Sequence, residues 1–277
     1  MIRVLVTGGH GFIGTSLLRL LGERGFEVVA PERTQLDLSS ASTVESFVAA
    51  CKPDWIFNLA GYRGDDKEEA ERVNVQATQN LINAGKRAGV RAFVQAGTCM
   101  EYGDAPVPFT EDAEASPGGT YAASKLKATQ LVLNSGMPAT VLRFTNVYGP
   151  HSIRDLFHAI RTAIAARQCI QVSDDITRDY IYVEDAAQAF INAAEHIERS
   201  AGEVINISSN TAVSTADVAR AAERVKGLGA GGLVASEQYE TGAYQQLSNR
   251  ADNAKAARLI DWQPTTTFED GLRLSLA

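Results

Sequence analysis

Apolar residues arrive in short, β-branched runs separated by longer segments of helical spacing. The runs are "IRVLVT" (2 to 7), "EVVA" (27 to 30), "WIFNLA" (55 to 60), "AFVQAG" (92 to 97) and "ATVLRF" (139 to 144). Runs of this length rich in Val, Ile and Phe predict strands. In "SSASTVESFVAA", Ser42 and Glu45 stand at capping-box spacing and predict a helix start. Another helix is expected from Asp66, with Ala70, Val73, Ala77, Leu81 and Ala84 on one stripe. Strand, helix and strand repeated in this way predict an α/β fold with a doubly wound parallel sheet, because parallel neighbours need a crossover and a helix supplies it. After residue 150 the pattern loosens. "EVINIS" (203 to 208) still predicts a strand, 214 to 226 a helix, and "ADNAKAARLIDWQPTT" (251 to 266) a last helix stopped by Pro264. No Pro- or Gly-rich linker separates the halves, so residues 151–277 are expected to form a smaller lobe packed on residues 1–150, with about 170–205 returning to the first sheet.

Composition narrows the function classes. Of 277 residues, 45% are apolar and 21% charged, the profile of a globular chain with a large core. The net charge of −7, without any run of Lys or Arg, argues against a nucleic-acid or anionic-membrane partner. Three cysteines, Cys51, Cys99 and Cys169, share no metal-ligand spacing and make neither a disulfide framework nor a zinc site. No window approaches the roughly 18 apolar residues of a spanning helix, and a cytoplasmic location is expected.

The first candidate chemistry is "VTGGHGFIG", in which Gly8, Gly11 and Gly14 recur at G-x-x-G-x-x-G spacing between the first strand and a helix. Glycines there allow a sharp turn that brings the helix N-terminus, with its unpaired N–H groups, against a pyrophosphate. His10 in the loop reads as solvent-facing. The end of the second strand selects the cofactor: a carboxylate binds the adenosine 2′-hydroxyl and an arginine a 2′-phosphate. "VVAPERT" offers both, Glu32 and Arg33, which favours NAD and leaves NADP open. Asp37 either reaches the adenine or begins the next helix.

The second is "GGTYAASKL", where Tyr121 and Lys125, four apart, share a helix face. An ammonium beside a phenol favours the tyrosinate and lowers its pKa towards working pH. Thr98 in "GTCMEYG", at the end of the fourth strand where ligands bind such sheets, can orient the oxygen that exchanges the proton.

Together with "NLAG", "VNVQATQNLINA", "LRFTNVYGP", "RDYIYVEDAA", "GEVINIS" and "DWQPTTTFEDGL", these motifs span nearly the whole chain. In this order they resemble the extended short-chain dehydrogenases/reductases that act as nucleotide-sugar epimerases, dehydratases and ketoreductases. The resemblance implies a Rossmann-type NAD(P)-binding domain over 1–150, a substrate-binding lobe mainly over 151–277, and a homodimer. It implies Tyr121 as acid/base, Lys125 as the group that lowers its pKa and holds the nicotinamide ribose, and Thr98 on the reacting oxygen. Phe12, Ile13, Leu38, Leu59, Ala60 and Gly61 join the expected cofactor contacts, and Asn146, Arg178 and Arg250 the substrate contacts. For Arg178 the alternative is an ion pair with Asp179 or Asp185, and Asn74 reads as a structural hydrogen-bonder.

Three departures bear on the reaction. Cys99 and Met100 stand where dehydratases carry Asp and Glu, which argues against dehydration, and no histidine is placed to activate Cys99. The segment from Gly61 to Asn74 is short, as is the stretch after the second strand, which favours a 4-ketoreductase slightly over a 4-epimerase. An arginine usual before the last helix is missing from "YETGAYQQLSNRAD", with Arg250 as its substitute. That keeps a small carbonyl or alcohol reductase open, alongside a non-catalytic dinucleotide-sensing protein.

Overall fold

The computed structural model describes residues 1–229, 231–236 and 248–277. Its strands are β1 (Arg3–Thr7), β2 (Glu27–Val29), β3 (Trp55–Asn58), β4 (Ala92–Thr98), β5 (Ala139–Phe144), β6 (Asn146–Tyr148), β7 (Ile170–Gln171), β8 (Thr177–Tyr182), β9 (Val204–Ile207), β10 (Ala212–Ser214), β11 (Val234–Ser236) and β12 (Ser248–Asn249). The helices are α1 (Phe12–Glu23), α2 (Ala41–Cys51), α3 (Lys67–Ala70), α4 (Ala77–Ala88), α5 (Gly119–Leu133), α6 (Leu156–Ala166), α7 (Val183–Glu195), α8 (Ile197–Ser200), α9 (Thr215–Lys226), α10 (Ala254–Ile260) and α11 (Phe268–Leu276).

Six strands pair in parallel in the order β2-β1-β3-β4-β5-β9. This is the Rossmann-type doubly wound sheet expected from the alternating runs. Winding reverses between β1 and β3, so a crevice opens beyond the ends of these strands, at Thr7 and Asn58. The centre is apolar on both faces: Val4, Leu5, Val6, Ile56, Phe57, Phe93 and Val94 are fully buried. Within 170–205, α7 packs on α1 and β9 completes the main sheet, whereas β7 and β8 pair in small sheets of their own. The second lobe is bound by a continuous apolar cluster in which Phe12, Ile13 and Val147 meet Tyr148, Phe157, Tyr180 and Tyr182.

Local expectations differ from the structure at four points. Ser42 and Glu45 do not cap: Ser40 is the N-cap of α2 and accepts from Thr43 N–H. Asp66 does cap, accepting from Glu68 and Glu69 N–H, but the helix it starts passes through a π turn, Glu71–Gln76, before α4. That turn leaves Val73 half-buried and buries Asn74 instead. The final helix is not the one ahead of Pro264: α10 ends at Ile260, with Asp261 left-handed, and α11 follows, capped by Thr267.

Candidate active site

The glycine loop closes on β3 across the crevice. Gly8 has φ +68°, and a Cβ there would stand 2.6 Å from the Ala60 nitrogen. At Gly14 a Cβ would stand 2.4 Å from the Gly8 carbonyl oxygen, so the first turn of α1 lies directly against the loop. Gly11 is the N-cap of α1 and offers no side-chain acceptor, which leaves the helix N-terminus open to an anion.

Beside the loop lies a cavity of about 330 Å³. Of the expected cofactor contacts, Gly8, Gly11, Glu32, Arg33, Asp37, Leu38, Ala60 and Gly61 line it. Phe12, Ile13 and Leu59 are not among its lining and pack, partly buried, against the apolar clusters. Tyr121 and Lys125 stand outside this lining. His10, read as solvent-facing, is exposed and lines the cavity, with Nε2 3.1 Å from the Ala30 carbonyl oxygen. Asp37 does not begin the helix. Its Oδ1 accepts from the Ser39 hydroxyl at 2.7 Å and the Ser39 N–H at 2.9 Å. These bonds, aided by Arg72 and Arg33, hold its carboxyl below the usual range.

Arg72 is a cavity residue that sequence reasoning missed, since that segment was read only for its apolar stripe. It grips Glu69 through Nε at 2.9 Å and Nη2 at 2.6 Å, and Nη1 donates to Ser39 Oγ at 3.3 Å. Arg33, 76% exposed, reaches the same Glu69 carboxylate at 3.5 Å. One carboxylate thus occupies two guanidinium groups on the wall where Glu32 and Arg33 stand.

The second centre forms where β4 meets α5. Thr98 caps a short 3-10 turn, Cys99–Tyr102, at the side of the Tyr121 phenol, and its hydroxyl favours the ionised form of that phenol. Burial pushes the Tyr121 phenol up; the Arg63 guanidinium and the Thr98 hydroxyl act the other way. Lys125 is 4% exposed, and burial pushes its ammonium down to about 8 against the pull of Glu101. The cation over the Tyr121 ring is Arg63, and the phenol sits above its ordinary value because desolvation outweighs the nearby positive charge.

Beneath these groups Glu101 is completely buried. Its Oε1 accepts from Thr98 N–H at 2.9 Å, and its Oε2 from Thr129 Oγ1 and Arg143 Nε, both at 2.9 Å. One carboxylate therefore ties together β4, α5 and β5. Arg143 in turn lies 4.5 Å from the centroid of the Tyr102 ring. Cys99 is buried, and its thiol is pushed up to about 12 by desolvation, so it is a neutral thiol at ordinary pH.

The expected substrate contacts lie apart from the cavity wall. Asn146 Nδ2 donates to the Asp179 carbonyl and to Asn249 Oδ1, each at 2.9 Å, which joins β6, β8 and β12. Arg178 donates from Nη1 to the Thr177 carbonyl at 2.8 Å. Asp179 takes hydrogen bonds from Ser209 and Thr145, and Asp185 from Thr265 and Thr266. The Arg250 carbonyl accepts from Phe109 N–H at 2.7 Å. The missing arginine concerns a segment whose residues 239–247 lie outside the described residues. Among the described residues no cluster of His, Cys, Asp and Glu could hold a metal ion.

Residues 4–208 match the model of the NAD dependent epimerase/dehydratase family. The chain belongs to this family. A UDP-glucose 4-epimerase of Mycolicibacterium smegmatis is 29% identical over 310 residues, covering 98% of this chain and 96% of that protein. Two solved structures share the fold. The Bordetella bronchiseptica enzyme WbmG in complex with NAD superposes with a TM-score of 0.88 at 23% identity, covering 99% of this chain and 93% of the other. RMD from Pseudomonas aeruginosa complexed with NADPH gives 0.86 at 24% identity, covering 100% and 98%. Within the epimerase/dehydratase family, the buried Glu101–Arg143 pair, Arg63 and Arg72 are the groups of this site that motif reading passed over.

Proposed function

We propose that this protein is an NAD(P)-dependent oxidoreductase that moves a hydride at a carbon, C4 on the resemblance, of a nucleotide-activated hexose. The observation that carries the reading is one loop: Ala60 and Gly61 line the dinucleotide cavity, and Arg63, two residues on, covers the ring of Tyr121. A nicotinamide bound there would supply or accept the hydride. Tyr121 gives or takes the proton at the substrate oxygen, Thr98 orients that oxygen, and Lys125, on the next turn of α5, holds the ribose. The residues fit the cofactor: a glycine cradle that a Cβ would fill, an open helix N-terminus and a carboxylate wall. A cytoplasmic homodimer acting without nucleic acid or membrane is part of the same proposal, in keeping with three unpaired cysteines. Among the described residues no helix is long and apolar enough to cross a membrane.

A 4-epimerase keeps its cofactor through the cycle, whereas a 4-ketoreductase exchanges it. Freshly purified protein that releases near-stoichiometric NAD+ on denaturation is expected for the first, and empty protein that binds added NADPH for the second. Protein that neither carries nor binds either dinucleotide would overturn the proposal.

The wall chemistry favours NAD(H), because Glu69 already engages Arg33 and Arg72 while Glu32 and Asp37 repel a third phosphate. Glu69→Gln would free both guanidinium groups for a 2′-phosphate. The expected outcome is a gain of about tenfold in NADPH affinity relative to NADH, near 1.4 kcal/mol, by nicotinamide fluorescence titration. An unchanged ratio would show that these arginines do not face the 2′-position.

A further inference from the structure

The short segment between β3 and the π turn places a cation over the candidate acid/base. The Arg63 guanidinium carbon lies 5.7 Å from the centroid of the Tyr121 ring, within the range over which a cation is drawn to an aromatic face. Hydrogen bonds hold this placement. Asn74, 1% exposed, accepts from Tyr62 N–H at 2.7 Å and donates to the Tyr62 carbonyl at 2.9 Å, clamping the residue just before Arg63. The same Asn74 amide donates to Ser124 Oγ at 2.8 Å, and Ser124 Oγ donates to the Tyr121 carbonyl at 2.8 Å. A relay of interior hydrogen bonds thus registers the loop carrying Arg63 on the helical turn carrying Tyr121. The π turn serves this registry, since Asn74 is its buried residue.

The groups around Tyr121 divide the electrostatic work. Thr98 faces it from the end of β4, Glu101 and Cys99 from the turn that follows, and Arg63 from the loop after β3, while Lys125 shares its helix. Glu101 is engaged by Arg143, Thr129 and Thr98, and Cys99 is a neutral thiol. Lys125 is buried, and the charge of Glu101 favours its ammonium. Arg63 is exposed and makes no ion pair among the described residues, so its charge is free to act on the ring beneath it.

We propose that Arg63 is a positioning residue that tunes Tyr121: held over the ring by the Tyr62–Asn74–Ser124 relay, it stabilises the phenolate in addition to Lys125. The inference rests on the reading of Tyr121 as acid/base. A positive charge near a phenol favours its ionised form, and burial makes such help necessary if the group is to exchange a proton at working pH.

The test reads Tyr121 directly. In protein carrying carbon-labelled tyrosine at the ring hydroxyl carbon, the resonance lost in Tyr121→Phe reports this phenol among the eight tyrosines. Its titration midpoint is followed with pH in the wild type, Arg63→Gln and Arg63→Lys, each with and without NAD+ as probe. Arg63→Gln is expected to raise the midpoint by about half a pH unit or more, and Arg63→Lys to restore most of it. A resonance still neutral where the wild type has half titrated counts as raised. An unmoved midpoint in Arg63→Gln, or an equal rise in Arg63→Lys, would overturn the proposal. Turnover retained in Tyr121→Phe would instead remove the acid/base reading and leave the titration result standing.

Discussion

Replacing Tyr121 by Phe is expected to lower turnover about a thousandfold, within the span that general acid–base catalysis contributes and equal to about 4 kcal/mol of barrier. The substitution removes one hydroxyl and keeps the ring. That hydroxyl stands beside Thr98, whose side chain would hold the reacting oxygen. Dinucleotide affinity should hold, because the cavity wall is made by the glycine loop, the end of β2 and Ala60–Gly61. Folding should change by no more than about 1 kcal/mol, the scale of the hydrogen bonding of one hydroxyl. The measurement is steady-state turnover beside thermal unfolding and NAD+ titration of the same preparation. Turnover within severalfold of wild type would remove Tyr121 from the chemistry.

Arg143→Ala is expected to destabilise the protein by about 3–5 kcal/mol and lower Tm by about 10 °C. Glu101 has no access to water, and Arg143 is only 4% exposed. Removing the guanidinium would leave a buried carboxylate with Thr98 N–H and Thr129 as its remaining donors. It would also strip the cation from the face of Tyr102, whose hydroxyl donates to Asn206 at 2.7 Å. The loss belongs to the stranded charge and not to the pair as such, so Glu101→Gln combined with Arg143→Met should recover much of it. Calorimetry of the single and double variants decides: additive losses would mean that the two side chains stabilise the fold independently.

Much of the sheet was legible because a buried parallel strand has a one-dimensional signature. The runs that became β1 to β5 are apolar on both faces, and the loops between them start with residues whose geometry is local, such as Gly8 and Asp66. The π turn was not legible, since an extra residue per turn leaves an apolar stripe almost unchanged while it rotates Asn74 inward. Ser42 and Ser40 are equivalent as letters, and only the path of the chain out of β2 selects Ser40 as the cap. The end of α10 at Asp261 depends on a left-handed residue that no glycine announces.

The site divides in the same way. Gly8, Gly11, Glu32, Arg33, Tyr121, Lys125 and Thr98 stand in contiguous motifs whose spacing carries their meaning. Arg63, Arg72, Glu101 and Arg143 act across elements far apart in sequence. Glu101 meets an arginine 42 residues away, and Asn74 a serine 50 away. A single sequence holds no trace of such pairs. The effect of burial on Tyr121 is not legible for a related reason: spacing reveals which groups share a face, while desolvation depends on everything packed around them.

The most direct test of the central claim is transfer of label. Protein freed of any dinucleotide it carries is reloaded with NADH or NADPH deuterated at the transferable position and given 4-keto forms of UDP-, dTDP- and GDP-hexoses, and the sugar products are weighed by mass spectrometry. The account predicts that at least one nucleotide sugar gains a single deuterium at the reduced carbon, and that Tyr121→Phe forms little of it while still binding the dinucleotide. Bound dinucleotide with no label entering any of these sugars would contradict it.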